Sequence, residues 1–159
     1  MKSPIIVALD YPELDMATGM LDRLDPDMTR VKVGKEMFTR AGPAFVEKVT
    51  AQGFQVFLDL KYHDIPNTVR GAARAATELG VTMFNVHAAG GRAMMTAALE
   101  GVREAAPDPE FAPKVIAVTV LTSIDGEILN RECGVPGTVE DQVLTKVFAE
   151  PHGSPRPWS

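Results

Sequence analysis

The chain reads as an α/β protein in which strands and helices alternate around a parallel sheet. Apolar runs of strand character alternate five times with stretches of helical periodicity, and their starts fall roughly 25 to 30 residues apart, as βα units do. No glycine-rich dinucleotide fingerprint follows the first run, which disfavours an open doubly wound sheet. Polar residues close nearly every run (Asp10, Lys32, Asp59, Lys61, His87, Thr122). That favours a (β/α)8 barrel, whose enzymes collect their chemistry at the carboxyl-terminal rim of the strands.

Residues 5–9 form a short apolar run closed by Asp10 and Pro12, expected as a buried strand. Leu14, Ala17, Met20, Leu21 and Leu24 then repeat at helical spacing, predicting a helix over 13–24. The second strand is 31–34, VKVG, with Lys32 on the face opposite Val31 and Val33. A helix over 43–52 buries Phe45, Val46 and Val49, and Gly53 stops it. The third strand, from Phe54, leads into a helix over 68–79 that buries Val69, Ala72, Ala73 and Ala76 and ends at Gly80. The fourth strand, 82–86, ends at His87, and a helix over 92–105 buries Met94, Met95, Ala98, Leu99 and Val102. After a loop, 114–121 is the fifth strand, with Thr122 and Ser123 at its end. Beyond it, 124–131 suggests a helical turn or two and 139–148 a helix with Val143, Val147 and Phe148 on one side.

The stretch 54–68, FQVFLDLKYHDIPNT, concentrates the chemistry. Side chains two apart on a strand share a face, so Asp59 and Lys61 are expected to point the same way, above Phe57. Asp64 follows on a turn, Ile65-Pro66 biases the backbone away from helix at Ile65, and Asn67 or Thr68 can cap the next helix. A surface ion-pair network is the plain alternative. These charges instead end an apolar strand, where burial costs several kcal/mol per ion unless the groups pair, and such clusters concentrate at functional sites.

A chain of 159 residues with 45% hydrophobic content can bury the core of one ordinary domain. A net charge of −5 with no basic stripe argues against a nucleic-acid surface. Cys133 is the single cysteine, so no internal disulfide or cysteine-built metal site can form. The opening apolar run is broken at Asp10, too short for a signal peptide or membrane span, and the expected location is cytoplasmic.

The segment FLDLKYHDIPNTV, with VALD near the start, KVG on the second strand, NVHAAGG on the fourth and VTVLTS on the fifth, resembles the bacterial type of the orotidine 5′-phosphate decarboxylase family over roughly residues 4–145. The resemblance implies a TIM barrel, a homodimer with two sites at the shared interface, and decarboxylation of orotidine 5′-monophosphate to UMP without metal or organic cofactor. Carried over by position, Lys61 is the proton donor with Asp59 beside it. Asp10 contacts the pyrimidine or ribose region, Lys32 a ribose hydroxyl and Thr122 the base. Asp64, Ile65 and Thr68 reach into the partner subunit's site. These residue types suit the chemistry, because loss of CO2 leaves negative charge on C6 of the ring and a fixed ammonium stabilises it directly. Repulsion of the substrate carboxylate by Asp59 before it leaves stays open.

Single residues also have plainer readings: Lys32 as a snorkelling strand-end lysine, Asp10 as a helix cap, Thr122 as a turn former, and His87 as a packed histidine beneath the site. Mg²⁺-dependent sugar-phosphate decarboxylases and synthases of the same superfamily share the Asp-x-Lys-x-x-Asp spacing, but the HDIPNT run argues against them. A non-catalytic fragment is the third reading. Residues 1–149 are expected to form an incomplete barrel of about five βα units. Residues 150–159, EPHGSPRPWS, with their exposed tryptophan, do not resemble the family at the corresponding position and are expected to be a disordered tail. The last three units and the phosphate-binding loops are expected to be missing, through truncation, a frameshift or an incomplete gene model, leaving two exposed sheet edges and activity that is weak or absent.

Overall fold

Every strand of the sheet pairs with its sequence neighbours. A computed structural model describes residues 5–147. The strands are β1 (Ile6–Ala8), β2 (Arg30–Gly34), β3 (Gln55–Tyr62), β4 (Met83–His87) and β5 (Lys114–Val118). They form one parallel sheet in the order β1-β2-β3-β4-β5. A doubly wound sheet reverses its order at a switch point, whereas this one runs in sequence throughout, like the wall of a barrel. Between the strands come helices α1 (Leu14–Leu21), α2 (Lys35–Ala51), α3 (Pro66–Glu78) and α4 (Gly91–Ala105), and α5 (Val139–Val147) follows β5.

Alternation along the strands separates two faces. Val31 and Val33, Val56 and Leu58, Phe84 and Val86 are buried in one cluster with Met37 and Val46 of α2, Val69 and Ala73 of α3, and Met94 and Ala98 of α4. Lys32, Phe57 and Asp59 belong to the other face and stay partly open. Gly53 and Gly80 follow α2 and α3 with φ of 89° and 72°, as expected of glycines that stop helices.

Several boundaries differ from the sequence expectation. β1 is short and largely open: Ile6 is exposed and only Leu9, just beyond it, is fully buried, because an edge strand has one neighbour. α1 closes at Leu21 instead of residue 24, since Arg23 and Leu24 donate to the carbonyls of Met20 and Leu21 in tighter turns; Leu14 is exposed. α2 begins at Lys35, eight residues before the expected start at Pro43, and bends at Gly42 (φ 65°, ψ −168°) before Pro43, so its first half carries a separate short periodicity. α3 starts at Pro66, so neither Asn67 nor Thr68 is its cap; Ile65 is, without a side-chain cap bond. Proline suits a first helical position because it has no N–H to leave unpaired. Leu99 is half-buried rather than core. β5 ends at Val118, not 121, and Thr122 lies on a later turn. The expected helical turn after β5 is a π-helical segment, Ile128–Glu132. Phe148 and the tail 150–159, with its tryptophan, lie outside the described residues.

α3 and α4 pack most closely where Gly101 meets α3. A Cβ at Gly101 would run into the Arg70 backbone carbonyl oxygen and lie 3.2 Å from Ala73 Cβ. Arg70 and Glu104 form an ion pair across the same seam. Alanine in a helix gains up to about 1 kcal/mol over glycine, but overpacking against backbone costs about 1–3 kcal/mol. Gly101→Ala is therefore expected to lower stability in urea unfolding, and a raised midpoint would show that the two helices part freely.

Candidate active site

Residues within β2, β3 and β4 and just past β1 bring four charges and one amide together. Leu9 N–H donates to the Lys32 carbonyl at 2.9 Å, which carries the β1–β2 pairing one residue past the strand and sets Asp10 beside Lys32. Lys32 Nζ lies 2.6 Å from Asp10 Oδ2 and 3.5 Å from Asp59 Oδ2. Gly34 permits this approach, because a Cβ there would fall 2.7 Å from Asp10 Oδ1. Lys61 Nζ lies 2.6 Å from Asp59 Oδ1. The chain of charges thus runs Asp10, Lys32, Asp59, Lys61.

Lys61 meets Asp59 by an unexpected route. Leu58 pairs with Phe84 and Tyr62 with Val86, so Asp59, Leu60 and Lys61 face the single residue Asn85 across an irregularity in the ladder. Lys61 there has φ 53°, alone in that region among the described non-glycine residues. Simple alternation puts Asp59 and Lys61 on one face; in the structure a bulge turns the lysine back towards the carboxylate. Asn85, only 3% exposed, accepts the Lys61 N–H at 2.7 Å through Oδ1 and donates from Nδ2 to Asp59 Oδ1 at 2.7 Å.

Side-chain exposure falls from 52% at Asp10 through 27% at Lys61 and 21% at Lys32 to 13% at Asp59. Burial alone would raise the Asp59 pKa, but the hydrogen bonds from Lys61 and Asn85, with the charges of Lys61 and Lys32, outweigh it and hold the carboxyl below its ordinary value. Asp59 is therefore ionised at neutral pH. His87 ends β4 half-buried, its ring centroid 5.3 Å from that of His63. Burial, followed by the charges of His63, Lys35 and Lys61, lowers its pKa, so it enters the site neutral.

Other expected site residues stand apart from this array. Asp64 is exposed and its Oδ1 accepts the Ile65 N–H at 2.7 Å. Ile65 and Thr68 are exposed at the start of α3, and Thr122 is exposed beyond β5. Asp10 does not cap α1, whose cap position is Glu13. Asn85 is the residue that sequence reading passed over; its signal is a polar amide inside an apolar strand, MFNVH. Among the described residues no three His, Cys, Asp or Glu side chains gather as a metal site, and no helix is long and apolar enough to cross a membrane.

Both the sequence and the fold match known proteins. The family model described as "Orotidine 5'-phosphate decarboxylase / HUMPS family" matches residues 3–150. An orotidine 5'-phosphate decarboxylase from Nitrosococcus oceani is 54% identical over 143 residues, covering 90% of this chain and 60% of the relative. Its counterpart from Moorella thermoacetica is 57% identical over 143 residues, covering 89% of this chain and 57% of the relative. The crystal structure of orotidine 5'-phosphate decarboxylase from Lactobacillus acidophilus superposes with a TM-score of 0.85 at 41% identity, covering 92% of this chain and 66% of that one. The chain spans about 60% of the length of the curated relatives it matches. Its sequential parallel sheet is the TIM-barrel wall expected of such proteins, and the chain belongs to the orotidine 5'-phosphate decarboxylase / HUMPS family.

Proposed function

We propose that this chain carries the reacting centre of a decarboxylase that converts orotidine 5′-monophosphate to UMP and CO2. The supporting observation is the Lys32-Asp59-Lys61 array, in which a carboxylate held ionised fixes two ammonium groups at the rim of a barrel wall. The bond from C6 to the substrate carboxylate breaks and its electron pair stays on C6. A preorganised ammonium stabilises that charge without reorganisation at the moment of reaction. Lys61 Nζ then gives a proton to C6, completing UMP, and the neutral amine regains a proton from water.

The remaining residues take supporting roles in this reading. Asp10, paired with Lys32 at the edge of the array, contacts the pyrimidine or ribose region; Lys32 also binds a ribose hydroxyl, and Thr122 contacts the base. Asp64, Ile65 and Thr68 are exposed together at the start of α3, as suits side chains that complete the site of a second subunit in a homodimer. Residues 1–149 make up part of a TIM-barrel decarboxylase domain. A thermal-shift scan tests the binding half of the proposal. UMP at a hundredfold excess over its Kd is expected to raise the melting midpoint by roughly 5–10 °C, and AMP to leave it in place. A midpoint that UMP does not move, or that AMP moves equally, counts against a pyrimidine nucleotide site.

A further inference from the structure

We propose that Asn85 is a positioning residue that fixes Lys61 for its role, through a side-chain amide bridging the Lys61 backbone and the Asp59 carboxylate. The inference rests on the decarboxylase reading above and goes beyond it, because it assigns the placement of the proton donor to a residue on a different strand.

Three hydrogen bonds close a ring. Lys61 N–H donates to Asn85 Oδ1 at 2.7 Å, Asn85 Nδ2 donates to Asp59 Oδ1 at 2.7 Å, and Lys61 Nζ donates to the same Asp59 oxygen at 2.6 Å. Asn85 therefore controls both ends of the lysine: its backbone directly, and its ammonium through the carboxylate. The amide orientation follows from chemistry, since only Oδ1 can accept the N–H and only Nδ2 can donate to an ionised carboxylate. An aspartate of similar size, or a leucine, could not make both bonds.

The backbone shows why such a clamp is needed. A non-glycine residue held at φ 53° costs on the order of 1–3 kcal/mol and persists only where its surroundings over-determine it. Three β3 residues pass Asn85 at this point, so the strand ladder does not fix Lys61. A buried amide with both ends bonded is rigid, because leaving either end unpaired costs about 1–3 kcal/mol. An asparagine that served only to satisfy one backbone N–H would have no reason to hold the very oxygen that Lys61 Nζ uses.

Asn85→Leu keeps the branched shape and removes both bonds; Asn85→Ser is smaller and polar, and its hydroxyl cannot span both partners, which covers the case where the bulkier leucine prevents folding. In the folded variants kcat for orotidine 5′-monophosphate is expected to fall roughly 10- to 100-fold, as misplacement of a reacting group by about 1 Å does, with KM changed less than threefold. Carboxyl ¹³C NMR is the second readout: Asp59 is expected to titrate at higher pH in the variants, having lost a hydrogen bond to its charged form. If the unaltered chain turns over and the variants keep kcat within twofold, Asn85 does not position Lys61. If the unaltered chain does not turn over, the thermal shift with UMP decides the nucleotide reading by itself, and the Asp59 titration decides the Asn85 inference: a raised value supports the clamp, and an unchanged value overturns it.

Discussion

Replacing Lys61 by alanine is expected to lower kcat for decarboxylation by at least about 10³-fold while the chain stays folded. Two contributions are lost at once. Removing a preorganised charge from a developing anion costs about 10²–10³-fold, and removing a general acid about 10²–10⁴-fold. The fold should tolerate the change because Asp59 keeps two partners, Lys32 Nζ at 3.5 Å and Asn85 Nδ2 at 2.7 Å. KM should move little if the ammonium acts on the transition state, since interactions made only there leave ground-state binding unchanged. A variant with family-like turnover would remove Lys61 from the mechanism.

Asp59→Asn separates two roles for the carboxylate. If Asp59 repels the substrate carboxylate before it leaves, removing its charge relieves ground-state strain, and KM should fall together with kcat. If it positions Lys61, kcat falls and KM does not. The structure favours positioning. Asp59 Oδ1 already accepts from Lys61 and Asn85, and Oδ2 faces Lys32, so two ammonium groups screen its charge from any substrate above it. The expected result is a kcat loss of roughly 10²-fold with KM held.

The same variant has a pH signature. The folded pKa of Asp59 lies below its ordinary value of 3.8, so its ionised form contributes stability above that value, and the contribution is lost as pH falls through the folded pKa. At neutral pH Asp59→Asn leaves Lys32 and Lys61 without their shared carboxylate and should cost about 1–3 kcal/mol. That gap is expected to narrow on acidification below about pH 3.8. A gap that stays constant across that range would mean the carboxylate is unperturbed in the folded chain.

Much of this site was legible in sequence because charge at the end of an apolar strand is a strong local signal. Asp10, Asp59 and Lys61 follow apolar residues at strand ends and Lys32 interrupts the apolar VKVG strand, and the structure joins all four. What periodicity could not show is the irregularity between Leu58 and Tyr62, which depends on pairing with β4. Asn85 was hidden for the same reason, since its role exists only across strands. Lys35–Ala41 reads poorly as helix because Gly42 and Pro43 break the repeat before it lengthens, although the segment buries Met37. The edge strands β1 and β5 are shorter or more open than their apolar content suggests, because that content does not reveal whether a second neighbour is present. Asp64, Ile65, Thr68 and Thr122 remain exposed in the single chain, and their assigned roles depend on a second subunit or bound nucleotide.

The most direct measurement is release of labelled CO2 from carboxyl-labelled orotidine 5′-monophosphate by the purified chain, run beside its Lys61→Ala variant. The expected result is release above the uncatalysed background that the substitution abolishes. Release above background that is equal in the two proteins would contradict the assignment of this array as a decarboxylation centre.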